Sequence, residues 1–556
     1  MGVQITHTDQ HVVESSNTLG GHTRWRGIHL LFAAIFLGIG IYLRLQQLDI
    51  QWLTDDEWHA IHKIIRGEGY ASILLSFGYS DYCIPLTLFY KLLSETIGLS
   101  ELRMRSPMLL SGLIFLAIAP LWLRLRLGAR TAILFGFLLA VSPLLINFSR
   151  YARPYMVTLL LGSIALCSLA IWLRSKKSQY SVIYGTCAIA ASYMHLIMMP
   201  FFVMPILLVS IGKVRRHFGL DVTIVELFTI GVPVCAGIAL LTFPPLIHDW
   251  NAIDAKATQE IPAIQTIIDA FAFWYGTQSR IVMLFMAILS VVGLHTCRRN
   301  IGLEISLWLA GLAGIVGMIL VFHPAWIQTP LVFARYLLPV QPLLLALTAA
   351  GIVNLTSHID NPMAGNTLAA LLATACVIGT PLPAMLVQPN NFTLHSYYQF
   401  NYKPSHNLTR TRYLLHHVPS PFWDRFSEVT PASQSIAIAG QPSFETFFVP
   451  YPIEQATHRQ RLFSLQTGGA CGVSRPGEAF ASQGIYLRNA VSLTNKAEIK
   501  SKGIDWIVFE YLYLIPDMPI SAEQQVAYIN RCRDFMLTEY GQPSYEDASL
   551  IAFQIH

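Results

Sequence analysis

RSPMLLSGLIFLAIAPLWLRLRLGARTAILFGFLLAVSPLLINFSRYARPY, residues 105–155, carries two apolar runs, 105–127 and 130–148. Each is long enough for a helix to cross the hydrocarbon core of a bilayer, which takes roughly 17–25 apolar residues. Between them stands RLRLGAR (124–130), and after them the short polar loop SRYARPY (149–155). So short a connection sends the second helix back beside the first. The stretch is a transmembrane hairpin, and the chain around it repeats the pattern.

Further spans stand near 27–47, 155–173, 180–195, 197–212, 222–243, 280–296, 301–322, 334–354 and 366–387, giving eleven in all. The run 180–212 is about twice a bilayer-crossing length, so it must turn back within itself, and His195 marks the turn. Of 556 residues, 53% are hydrophobic and 12% charged. A soluble domain is nearer one-quarter charged, so a water-soluble enzyme is excluded. Basic residues gather on alternate loops: Arg24 and Arg26; Arg124, Arg126 and Arg130; Arg174, Lys176 and Lys177; Lys213, Arg215 and Arg216; Arg298 and Arg299. The loop 323–333 on the other side has none. By the positive-inside rule the basic loops are cytoplasmic. That sets the polar tail 1–26 inside, and puts the first loop (48–104) and everything after 388 outside a bacterial cytoplasmic (inner) membrane. The net charge of +5 is not gathered into one block, so the bilayer, and no nucleic acid, is the expected partner. The first apolar run is too long for a cleavable signal peptide.

The segment CIPLTLFYKLLSETIGL (83–99) is apolar enough to span, but Lys91 and Glu95 fall in its middle. Making it a span would also turn RLRLGAR outward. It is read as an amphipathic helix on the membrane surface, which tolerates such charges. Residues 389–556 form a separate α/β domain, with strand-like runs at 435–440, 505–511 and 550–555 and a helical pattern over 521–537. Cys471 and Cys532 lie in this domain. Two readings stand for them, a disulfide in an oxidising compartment or two buried free thiols. None of the eight cysteines forms a CxxC pair or a zinc spacing.

The stretch richest in chemistry is LTDDEWHAIHKIIRG (53–67), where Asp55, Asp56 and Glu57 are consecutive carboxylates just after the first span. Adjacent acids raise one another's pKa, and a carboxylate so poised is a general base. The bland reading is a solvated cap on an amphipathic helix over 57–66. Asp81 follows in the same loop. On the same side stand Arg103, Arg105, Arg150, Arg153 and Arg335, against the charge trend. Snorkelling would account for each one singly. Together, beside carboxylates, they suit a lipid-linked phosphate, which forked donors grip well. His59 and His62 share a helical face. They fit either a metal pair or, more simply, a polar surface. Trp52, Trp58, Trp250, Trp274 and Trp326 fit an aromatic belt.

In order along the chain, these residues resemble the GT-C membrane glycosyltransferases, those similar to protein O-mannosyltransferases and to the bacterial transferase that adds aminoarabinose to lipid A. Asp56-Glu57 matches the family's Asp-Glu pair. Asp81-Tyr82-Cys83-Ile84-Pro85-Leu86 matches its D-x-H-P-P-L element in the Asp, second Pro and Leu, with Cys83 and Ile84 replacing the His and first Pro. LRMRSP (102–107) looks like its L-R-x-P-S element, and SRYARPY looks like S-Q-E-A-R-x-Y, keeping Ser149, Ala152, Arg153 and Tyr155. Tyr151 stands where the family has a Glu. ARYLLPVQP (334–342) looks like the late R-Y-x-x-P segment, with Arg335 and Tyr336. The matches cover about residues 25–345.

The resemblance implies a polytopic GT-C fold with the C-terminal α/β domain outside. It also implies a sugar taken from a polyprenyl-phosphate carrier and passed, with inversion, to an unknown extracytoplasmic acceptor: a lipid, a polysaccharide or a protein. Asp56 would be the base. Glu57 and Asp81 would orient sugar or acceptor, and Arg105, Arg153, Arg335 and Tyr336 would hold the donor phosphate. His195 and Tyr155 are expected at the cavity. No cofactor is called for by pattern, and a divalent metal is compatible with the acidic loop. The rival classes are a transporter or flippase of lipid-linked sugars without chemistry, and an idle scaffold. A transporter would be expected to carry its charges deep in the spans or on inverted repeats. Here they cluster at one face.

Overall fold

The computed structural model describes residues 27–46, 48, 57, 62–65, 68–77, 83–254, 257, 261–277, 279–383, 420–429, 434–439, 461–466, 471, 490–511 and 522–555. The tail before 27, the residues Asp55, Asp56, His59 and Asp81, and the start of the C-terminal domain lie outside them, as does the side chain of His62.

The helical part opens with α1 (Gly27–Leu45), then the short α2 (His62–Ile65), α3 (Tyr70–Leu74) and α4 (Ile84–Thr96) of the first loop. Next come α5 (Glu101–Leu127), α6 (Ala129–Ala140), α7 (Pro143–Ser149), α8 (Tyr155–Ser175), α9 (Ser178–Met194), α10 (Met199–Ser210), α11 (Gly212–His217) and α12 (Ile224–His248). The part closes with α13 (Trp250–Asp254), α14 (Ile264–Tyr275), α15 (Arg280–Phe322), α16 (Pro330–Tyr336), α17 (Val340–Ser357) and α18 (Pro362–Ile378). Among the described residues, six helices, α1, α5, α8, α12, α15 and α17, are singly long and apolar enough to cross a membrane, and the bent pair α6–α7 makes a seventh if it is one span. This is an integral, multi-pass membrane protein.

Set beside the eleven expected spans, six to seven helices qualify by length and composition alone, and the others are broken or short. The 43-residue α15 is two helices meeting at Ile301, whose backbone is non-helical, beside Arg298 and Arg299. At 1.5 Å per residue, one straight helix of that length would be about twice as long as a ~30 Å hydrocarbon core is thick. His195, with extended backbone, ends α9, and a 3-10 turn (Leu196–Met198) leads into α10, so the turn falls where the sequence places it. α9 and α18 are short, at 17 residues each.

Two expected spans are corrected. The run 130–148 is not one rod, because α6 and α7 are bent by 63°. Ser142 precedes Pro143 and is extended, the conformation a following proline favours over the helical one. The run 334–354 is likewise divided, with Leu337 to Pro339 separating α16 from α17. Both breaks border the site described below.

The surface reading of 83–99 fits the structure. The thirteen residues of α4 rise about 20 Å, short of a ~30 Å core. Lys91 and Glu95 pair at 2.8 Å, with the Tyr70 hydroxyl donating to Glu95 at 2.7 Å. Helix packing in the bundle uses small residues, as in other membrane bundles. A Cβ on Gly293 of α15 would strike Leu347 O of α17, and one on Gly351 would strike Leu289 O.

The C-terminal part contains α19 (Pro421–Val429), α20 (Lys496–Ser501), α21 (Ala522–Tyr540) and a six-stranded sheet. Its strands are β1 (Ser435–Ala439), β2 (Arg461–Gln466), β3 (Ala490–Ser492), β4 (Trp506–Glu510), β5 (Tyr545–Glu546) and β6 (Leu550–Gln554), in the order β3-β2-β1-β4-β6-β5. The first four are parallel, while β6 runs antiparallel to β4, and β5 to β6. Strand alternation divides the faces. Ile436, Ile438, Val508, Leu550 and Ala552 join the cluster that runs through the helical bundle, together with Phe422 and Phe426 of α19. Ala437, Ile507, Phe509, Ile551 and Phe553 pack on the other side with Tyr528, Ile529 and Met536 of α21. Cys471 and Cys532 form a disulfide across 61 residues, with Cα atoms 4.5 Å apart. That decides between the two readings of this pair.

Candidate functional site

The site is built around one short segment, Ser149 to Arg153, between the end of α7 and the start of α8. Helix α7 ends at Ser149, and the residues after it are all buried. Ser149, Arg150 and Ala152 hydrogen-bond to other elements.

The first group centres on Glu57. Its carboxylate accepts from Arg105 Nε at 2.9 Å and Arg105 Nη2 at 2.8 Å, a forked pair, and from the Ala152 backbone N–H at 2.6 Å. Arg105 Nη1 donates to Leu48 O at 3.2 Å. Both side chains are fully buried. Burying one such charge alone costs several kcal/mol, so the pair and its hydrogen bonds stand or fall together. Arg105, expected on the donor phosphate, is thus set against Glu57, and Glu57 against Arg105 and the 149–153 segment.

The second group gathers residues from three places. Arg153 comes from the segment before α8 and acts on His195, Tyr155 from the first turn of α8, His195 from the α9–α10 turn, and Arg335 and Tyr336 from the end of α16. The Arg335 guanidinium lies 5.4 Å from the Tyr155 ring centre and 5.6 Å from that of Tyr336. The His195 ring lies 5.5 Å from Tyr155 and 5.6 Å from Tyr336. Its Nδ1 is buried and, among the described residues, meets no hydrogen-bonding partner. Phe148 closes the floor, 5.0 Å from Tyr155. The break between α16 and α17 is what brings Arg335 and Tyr336 here.

The remaining expected residues stand as follows. Tyr151, in place of the family's Glu, is buried against Phe148, with its carbonyl accepting from Arg153 N at 2.7 Å. Arg103 lies on α5 and donates to Gly98 O at 3.2 Å. Among the described residues, no three His, Cys, Asp or Glu side chains converge as metal ligands. The motif pattern does not mark Arg44, whose guanidinium is buried against the 149–153 segment. The signal for it is an arginine in the last turn of α1, at the membrane face where the charge trend predicts few.

No family model matches the chain, and no curated protein sequence matches it. Among solved structures it is similar to ArnT from Cupriavidus metallidurans in the apo state, with a TM-score of 0.51 at 12% identity over 95% of this chain and 97% of that one. It is equally similar to the same protein bound to undecaprenyl phosphate, with a TM-score of 0.51 at 13% identity over the same shares. The fold of this chain is therefore the GT-C fold, C-terminal domain included.

Proposed function

We propose that the protein is a GT-C glycosyltransferase that takes a monosaccharide from a polyprenyl-phosphate carrier and passes it to an extracytoplasmic acceptor. The observation that carries this reading is the convergence of Arg153, Arg335, Tyr155, Tyr336 and His195, from three separate elements, beside the buried Glu57–Arg105 pair. Two guanidiniums and two phenols suit a phosphate that gains charge as the sugar leaves. The similar ArnT structure with undecaprenyl phosphate bound supports a polyprenyl carrier. Asp56 is assigned as the base that deprotonates the acceptor, with Asp81 orienting sugar or acceptor. Glu57 and Arg105 are assigned a positioning role, since their polar atoms are turned to each other and to backbone.

The chemistry written out is a displacement. The acceptor oxygen or nitrogen attacks the anomeric carbon, and its proton passes to Asp56. The bond from that carbon to the phosphate oxygen breaks, and the electron pair leaves with polyprenyl phosphate. No oxidant or reductant enters. The test uses membranes holding the wild type or Arg335→Gln at equal expression, with radiolabelled polyprenyl-phosphate monosaccharides. Transfer of label to a new product by the wild type, reduced roughly 10²-fold in the variant as for loss of one preorganised electrostatic partner, is the expected result. Label that crosses the bilayer still on its carrier would favour the transporter class instead.

A further inference from the structure

We infer that Arg44 and Arg150 form a reciprocal clamp that positions the acidic loop against the basic cluster. The last four carbonyls of any helix lack partners within it. At the end of α1, Tyr42 O accepts from Gln46 N at 2.8 Å and Leu45 O from Leu48 N at 3.1 Å. Arg150 Nη1 donates to Leu43 O and Arg44 O at 3.4 and 3.0 Å, and reaches Gln46 O at 2.8 Å as well. The end of α6 mirrors this. Arg44 donates from Nη2 to Leu139 O at 3.1 Å and from Nη1 to Ala140 O at 3.2 Å. Its Nε donates to Ser149 Oγ at 3.2 Å. The arginine of α1 thus caps α6, and the arginine that follows α7 caps α1.

Both side chains are almost wholly buried, at 2% and 1% exposed. A cation at a helix C-terminus is favoured by the helix dipole, more so when partly buried. At Arg44 the forked guanidinium is needed, because an ammonium is a single point and cannot span two carbonyls and a hydroxyl in fixed directions; at Arg150 the three carbonyls meet one terminal nitrogen, which the shorter lysine chain would not bring to the same place. The consequence lies in the chain from Leu45 to Glu57. It is pinned at its start by Arg150 and at its end by Ala152 N–H and Arg105. Arg150 and Ala152 belong to the same segment as Arg153. Glu57 and Arg153 therefore cannot separate without breaking the contacts of that one segment.

The inference rests on the transferase reading for its catalytic consequence only. A misplacement of about 1 Å can cost about 10²-fold in rate. Arg150→Lys, and separately the milder Ser149→Ala, would be compared with the wild type in detergent. The expected result for Arg150→Lys is kcat lower by roughly tenfold or more, with the KM for the polyprenyl-phosphate sugar changed less than about twofold, because Arg153 and Arg335 remain. Hydrogen exchange should quicken over residues 43–57 and stay unchanged over 224–248. Ser149→Ala should show the same pattern more weakly, and it serves if Arg150→Lys does not accumulate. Unchanged exchange over 43–57 in a folded variant, with wild-type kcat, would overturn the clamp and leave the transferase reading standing. A wild type that moves no label from any donor would overturn the transferase reading, and exchange would then decide the clamp by itself.

Discussion

Replacing Arg105 with methionine is expected to destabilise the folded protein by about 3–5 kcal/mol, the usual cost of leaving a buried charge without its partner. Glu57 would lose both guanidinium bonds and keep the Ala152 N–H while fully buried. Glu57→Gln should cost less than Arg105→Met. Its amide oxygen can still accept from Ala152 or Arg105, although the guanidinium loses its counter-charge. The double variant Glu57→Gln with Arg105→Met should recover much of the loss, because removing both members of a buried pair is often close to neutral. Denaturant unfolding of the detergent-solubilised variants, arranged as a double-mutant cycle, measures the coupling. Single variants that each cost under about 1 kcal/mol, the range of an exposed surface pair, would mean that the pair is not buried as described.

The second large effect is on turnover. Asp56→Asn is expected to lower transfer by about 10²–10⁴, the range for removal of a general base, while membrane insertion and unfolding stay as in the wild type. Asp56 itself lies outside the described residues, and the assignment rests on its neighbour. Glu57 is fully buried and charge-balanced by Arg105, so it is poorly suited to take up a proton on each turnover. The acid next to it in the chain, Asp56, is the proposed base. Radiolabel transfer by membranes of equal expression measures the effect. A variant that transfers as fast as the wild type would remove Asp56 as the base, and the transporter reading would move to first place.

Much of the architecture was legible from residue type. The hairpin over 105–155, the turn at His195, the surface helix carrying Lys91 and Glu95, and the strands at 435–439, 506–510 and 550–554 all correspond to local patterns. Hydropathy and strand alternation report burial within one element, and that is what each of these readings used. The bend of α6 on α7 and the break after α16 were missed for the opposite reason. Pro143 and Pro339 were in view, but a proline is as compatible with a gentle kink as with a full break. Which of the two occurs depends on what the next helix packs against.

What the sequence determined by itself was the class: a membrane bundle with a loop of carboxylates and a set of arginines at one face, followed by an α/β domain. It did so because crossing lipid and pleating a sheet are demands on neighbouring residues. Only the tertiary structure decided which arginine does what. Arg105 meets Glu57 from 48 residues away, Arg44 meets Ser149 from 105, and Arg150 meets Arg44 O from 106. No local pattern encodes a partner at that distance. A guanidinium is satisfied by any set of oxygens the fold brings within reach, so its role is fixed when the helices pack.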